Sequence, residues 1–228
     1  MSRTIDILSA IRNGEKYNAS ASSRAEAILK SIANGTAYTD APKSRLEELL
    51  LAIKNKQTAS GTAHSRIEEI LFAIASGTIQ KYLSGKNLFD VSKIKSSDVI
   101  ANKGDGRLVI AGGSYYTRTQ ATLRELCPLL KAGDTCILKF DTDSEISSFI
   151  NVGTEWYSGT SKVLTDKMLD DHLILYGFNS KDEEYGEACT ISNIKIELGS
   201  TATHYTAYAF KSELEEALVA TADKLKGV

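Results

Sequence analysis

Two aromatic pairs carry the clearest chemical potential in this chain: Trp156-Tyr157, followed by Ser158-Gly159, and Tyr115-Tyr116, followed by Thr117. Sugar binding asks for flat aromatic faces with hydroxyl and amide groups beside them. Adjacent strand residues point to opposite faces, so one member of each pair must face outward. Trp156, Tyr157, Tyr115 and Tyr116 are therefore the candidate carbohydrate-binding residues, with Tyr176 and Tyr185 behind them. The sole tryptophan of a sandwich more often sits in its core, so two places stay open for Trp156, with the core favoured.

Catalytic chemistry is thinly provided. There is no Gly-x-Ser-x-Gly, no phosphate loop and no His-Glu-x-x-His. His172 follows Asp170 and Asp171, which could be drawn as a base with its orienting acid, but at the start of a strand the trio reads as a surface feature. Asp141, Asp143 and Glu145 fall between two strands as a solvated loop; calcium takes such oxygen ligands, yet no full ligand set is visible. Cys127, Cys136 and Cys189 match no zinc or redox pattern and read as buried free thiols of a protein made in a reducing cytosol. The expectation is a protein that is not an enzyme, with no metal and no cofactor.

Composition narrows the partners. A net charge of -2 offers no broad basic field, which argues against nucleic acid. No run reaches the apolar length of a membrane span, and the N-terminus reads as an amphipathic helix rather than a signal peptide.

The elements that must position these residues begin with a repeat. Ser2-Arg3, Ser23-Arg24, Ser44-Arg45 and Ser65-Arg66 recur every 21 residues, each opening a segment of about a dozen. Glu26, Glu47 and Glu68 stand three residues after their serines, the capping-box spacing, while the first copy has Ile5 there. Gly14, Gly35 and Gly77 fall where a left-handed residue ends a helix; the third copy has Lys56 after Asn55. Residues 1–78 are thus four short helices, with narrow apolar stripes: Ala25, Ile28, Leu29, Ile32; Leu46, Leu49, Leu50, Ile53; Ile67, Ile70, Leu71, Ile74.

Helices of this length are marginal alone, so the stripes must be buried. Linkers such as Thr36 to Lys43 could fold them into one intrachain bundle, or each helix could pack on its equivalent in sister chains along an oligomeric shaft. The solvated composition of the linkers favours the shaft, which makes the stripe residues assembly residues. The recurring arginines sit unfavourably in the first turn and imply a partner, such as Glu48 or Glu69 on a neighbouring helix.

After a linker at 79–85 the period changes. Strands are expected at Arg107 to Ala111, after the turn Lys103 to Gly106, and at Ser114 to Arg118 beyond Gly112-Gly113. Leu123 to Leu130, broken by Pro128, reads as a loop or one helical turn. Further strands are expected at Thr135 to Asp141, Ser147 to Val152, Glu155 to Tyr157, His172 to Phe178, Thr190 to Leu198 and His204 to Phe210. Short strands with frequent turns argue an antiparallel β-sandwich over 86–210, and so an α+β multidomain chain. Ser212 to Lys226 returns to helix, packing on its own sandwich or on a sister chain.

Three phrases carry a resemblance: Lys86-Asn87-Leu88-Phe89-Asp90, the turn Leu130 to Thr135, and the closing run from Thr190 to Thr203, after which relatives usually have proline and this chain has His204. With them, the second region resembles the carbohydrate-binding-module-like jelly roll of bacteriophage tail, baseplate and fibre proteins. The Ser-Arg-x-Glu-x-Ile-Leu helices resemble N-terminal repeats of phage structural proteins. The resemblance implies a virion appendage or head, tail or fibre accessory protein, made in a bacterial cytoplasm. It also implies a homo-oligomer, guessed a trimer by analogy, with other virion proteins and host-surface glycan as partners. Its rivals are a monomeric bacterial carbohydrate-binding module and a pure decoration or connector protein.

Overall fold

The computed structural model describes residues 2–111, 116–144, 146–178 and 188–225. The chain forms two compact units, Met1–Tyr82 with Phe210–Val228, and Leu83–Ala209. Among the described residues no helix is long and apolar enough to cross a membrane.

In the helical unit each repeat becomes one helix: α1 (Arg3–Asn13), α2 (Arg24–Asn34), α3 (Arg45–Lys54) and α4 (Arg66–Ala75), followed by the short α5 (Ile79–Leu83). The side chains of Ser23, Ser44 and Ser65 accept from the N–H of Glu26, Glu47 and Glu68, while Ser2 makes no such bond. The glutamates answer one residue further back than a capping box requires. Their carboxylates accept from the N–H of Ser22 (2.7 Å), Lys43 (2.8 Å) and His64 (2.7 Å), so each fixes the residue that leads the linker into its helix. At the other end Gly14, Gly35 and Gly77 are left-handed, and Lys56 takes the same conformation at φ 56°. There the N–H groups of Glu15, Thr36, Gln57 and Thr78 return to the carbonyls of Ala10, Ser31, Ala52 and Ala73, the same Schellman closure at every 21-residue step.

Neighbouring helices run parallel. Thr4 near the start of α1 donates to Glu26 near the start of α2 (3.1 Å), and Arg24 reaches Glu47 (3.1 Å); at the far end Lys54 reaches the Thr36 carbonyl (2.7 Å) just past α2. The linkers after α2 and α3 therefore run back along their own helices, and the arginine of each copy holds its linker there. Arg24 donates to the Ala41 carbonyl (2.7 Å) and pairs with Asp40; Arg45 donates to Thr62 (3.1 Å) and Ser60 carbonyls; Arg66 lies over the Tyr82 ring, 5.3 Å from its centroid. The expected carboxylates on neighbouring helices are corrected in part: Glu48 and Glu69 pair with Arg45 and Arg66 of their own helices, while Arg24 does cross to the next helix, at Glu47.

The apolar stripes are buried inside one chain. α1 packs on α2, α2 on α3, α3 on α4, and the C-terminal helix α8 (Glu213–Ala220), with α9 (Ala222–Leu225), packs on both α4 and α1 to close the circle. Ile28, Leu29, Leu49, Leu50, Ile53, Ile70, Leu71 and Ile74 are buried, whereas Ile32, Ala25, Leu46 and Ile67 are half-buried at the margins. The stripes thus need no sister chain, because the parallel return of the linkers lets successive stripes converge on one axis. The C-terminal helix packs on its own chain's first and fourth repeats.

The β unit holds two antiparallel sheets. One has the order β1-β2-β9-β4-β7, from Ile100–Asn102, Leu108–Ile110, Cys189–Leu198, Thr135–Thr142 and Thr160–Val163. The other has the order β3-β8-β5-β6, from Tyr116–Thr122, His172–Phe178, Ile146–Asn151 and Thr154–Trp156. Two single-turn helices, α6 (Leu123–Leu126) and α7 (Asp166–Leu169), complete it, and α6 carries the full capping box of Thr122 and Glu125. Phe140 of β4 stacks on Phe149 of β5 with centroids 5.0 Å apart, joining the two sheets, and Phe89 adds a tilted contact at 6.4 Å.

The phrases that carried the resemblance have a physical role at β9. Asn87 satisfies both ends of its amide there, donating to Ile194 (2.9 Å) and Thr206 (3.0 Å) carbonyls and accepting from the N–H of Phe89 and Ile196. Lys195 and Glu197, each 1% exposed, form an ion pair at 3.1 Å. Lys195 also donates to the Gly85 and His204 carbonyls (both 2.9 Å) and to Thr203, whose N–H and hydroxyl in turn reach Glu197. These bonds explain why His204 to Phe210 is not the expected strand: its backbone is held by Lys195 and Asn87 side chains, with one parallel bridge at Asn87–Tyr208 in place of a ladder. The short strands β1 and β7 were not expected.

Candidate ligand-binding face

The register of the four-stranded sheet decides which aromatics face out. Tyr116 pairs with Tyr176, and Ser148 pairs with Tyr176, so these three share one face. The next row, Thr117, Leu175, Phe149 and Trp156, points the other way and is buried. Tyr157, one residue beyond Trp156, returns to the side of Ser148 and lies within electrostatic reach of Tyr176. A row therefore crosses the sheet as Tyr116, Tyr176, Ser148, Tyr157.

Tyr116 is 51% and Tyr157 45% exposed, Tyr176 is half-buried, and Ser148 between them is fully buried with no hydrogen-bond partner for its Oγ. A buried hydroxyl without a partner is costly, about 1–3 kcal/mol, and Ser148 lies beneath the row of rings. The neighbouring row on the same face is Arg118, Ile174, Ile150 and Glu155. Glu155 accepts from the Tyr157 hydroxyl, which pushes the phenol's pKa up and keeps the proton on Tyr157. Arg118, at the opposite edge of the sheet from Glu155, pairs with Asp171 at 3.3 Å.

Trp156 is corrected: it is wholly buried, its ring beneath Lys162 (Nζ 6.0 Å from the centroid) and its Nε1–H donating to the Thr160 carbonyl at 2.8 Å. The indole nitrogen found its partner in the turn to β7, so the ring fills the core and presents no face. Tyr115 and Tyr185 lie outside the described residues. The residues that sequence reasoning missed here are Ser148 and Ile174, for which pairing register was the only signal.

The remaining candidates are occupied elsewhere. His172 Nδ1 donates to the Thr119 carbonyl (2.8 Å), while Asp171 accepts from the Val152 N–H (2.8 Å) and Asp170 pairs with Arg124 (2.7 Å), so neither acid orients the imidazole. Asp141 accepts from Asn193 and Asp143 from the Thr190 N–H, both serving the bulge of β9; Glu145 lies outside the described residues. Burial raises the thiol pKa of all three cysteines, Cys136 to about 12 and Cys189 to about 11, and none is bonded to another. No family model, curated protein or solved structure matches the chain.

Proposed function

We propose that this is a non-enzymatic recognition protein that binds carbohydrate on the outer face of the four-stranded sheet, as an appendage or accessory protein of a bacteriophage virion. The observation that carries the binding reading is the row of Tyr116, Tyr176 and Tyr157 across one face of the sheet, two of its three rings exposed. Rings offer stacking surface to the apolar faces of pyranoses, and the flanking charged side chains of Arg118 and Glu155 offer hydrogen bonds to their edges. The virion setting rests on the resemblance of the closing phrase and of the Ser-Arg-x-Glu helices. The stacking of Phe140 on Phe149 supports a β-sandwich of jelly-roll type for the β unit.

Three ladder spacings separate Tyr116 from Tyr157, about 14 Å, the length of about three pyranose rings end to end. The ligand is accordingly an oligosaccharide laid across the strands. The test is a glycan array probed with the intact protein and with Tyr116→Ala/Tyr157→Ala. Hits lost by the double variant support the reading; an array without hits, alongside co-sedimentation with particles, points to a connector that binds only virion proteins.

A second reading, a monomeric bacterial carbohydrate-binding protein, is favoured by the burial of the helical stripes within one chain. Solution mass separates it from the homo-oligomeric appendage: a monomer at micromolar concentration selects the former, a trimer the latter.

A further inference from the structure

We infer that α8 is a fifth copy of the repeat and the clasp that closes the helical unit, and that the entire β unit is an insertion in the chain between copies four and five. Lys211-Ser212-Glu213-Leu214-Glu215-Glu216 matches Lys43-Ser44-Arg45-Leu46-Glu47-Glu48 at every place but one. The geometry matches as well. Ser212 accepts from the Glu215 N–H (3.3 Å), and Glu215 accepts from the Lys211 N–H at 2.8 Å, the distance of the bond between Glu47 and Lys43. Leu218 occupies the register of Leu8, Leu29, Leu50 and Leu71, five leucines between 0 and 3% exposed. Thr221 takes the isoleucine position that follows; it is 1% exposed, its hydroxyl satisfied by the Ala217 carbonyl at 2.6 Å.

The one mismatch follows from the role of the arginine. Arg24 and Arg45 hold the linker that runs back from their own helices. Among the described residues α8 is followed by α9 and not by a returning linker for Glu213 to hold. Tyr82 near the start of α4 also feels the charge of Glu215 at the start of α8, which places the two starts together, as the earlier neighbours are placed.

A true fifth repeat belongs to the cooperative unit of the other four, although residues 83–209 separate it from them in sequence. A helix merely resting on the bundle does not. Amide hydrogen exchange on the full chain distinguishes these, read in the wild type, Leu29→Ala and Leu218→Ala. Leu29 is on α2, whose main neighbours are α1 and α3. The expected result is that Leu29→Ala speeds exchange of α8 amides by the same factor as those of α4, at least about tenfold, with β9 unchanged, and that Leu218→Ala speeds exchange of α2. Exchange in α8 that ignores Leu29→Ala, or in α2 that ignores Leu218→Ala, overturns the inference. Should the leucine variants leave the unit unfolded, Ser44→Ala and Ser212→Ala, each removing one cap, make the same comparison under milder loss.

Discussion

Among the described residues Lys56, Val152 and Asn193 hold a left-handed backbone without being glycine, and the first two, which lack the tolerance of asparagine for it, mark local compromises. Lys56 (φ 56°) stands where the other three repeats carry Gly14, Gly35 and Gly77, and Val152 (φ 52°) precedes Gly153 in the two-residue turn between β5 and β6. A β-carbon in that region costs about 1–2 kcal/mol, so Lys56→Gly should raise the thermal midpoint of the helical unit, and Val152→Gly that of the β unit, each by about 1 kcal/mol in stability. The repeat glutamates give a pH signature. Hydrogen bonds from Ser22 hold the Glu26 carboxyl below its ordinary range, and the Lys43 N–H does the same for Glu47. Groups depressed in the folded state stabilise above their unfolded pKa, about 4.3, and that contribution is lost as pH falls through the folded value. Acid titration of the helical unit should therefore show stability falling below about pH 4, with a shallower fall in Glu47→Gln.

Elements differ in how far the sequence announces them. The four helices were legible from Ser, Glu and Gly at fixed spacing, because caps are local chemistry; β9 was legible from Thr190 to Leu198, because its β-branched run is long. What covers a stripe was not legible: an amphipathic face states that it needs a partner without naming one, so the closing of α1 through α4 by α8 required coordinates. The segment from His204 to Phe210 misled for a related reason, its alternation being real while its hydrogen bonds go to Lys195 and Asn87. That network makes a prediction at this scale. Lys195→Ala leaves Glu197 buried without its cation and should cost about 3–5 kcal/mol in denaturant unfolding, while Lys195→Met with Glu197→Leu should cost much less.

At the scale of the whole molecule, chain order and spatial order part company: a β unit stands in sequence between helices that belong to one compact unit. The candidate site was half legible. One member of each aromatic pair was expected to face outward, and Tyr116 and Tyr157 are exposed, whereas Trp156 took the core, the place its type favours, with its Nε1–H met by Thr160. Ser148 was invisible until register set it beside Tyr176. Function turns on whether this row holds a sugar chain. The decisive measurement is calorimetric titration of the intact protein with a length series of an oligosaccharide selected on the array, repeated with Tyr116→Ala/Tyr157→Ala. Affinity is predicted to rise up to about three sugar residues and then level off, as the span of three ladder spacings requires, and to fall at least about tenfold in the double variant. Affinity indifferent to chain length and untouched by the loss of both rings would contradict the account.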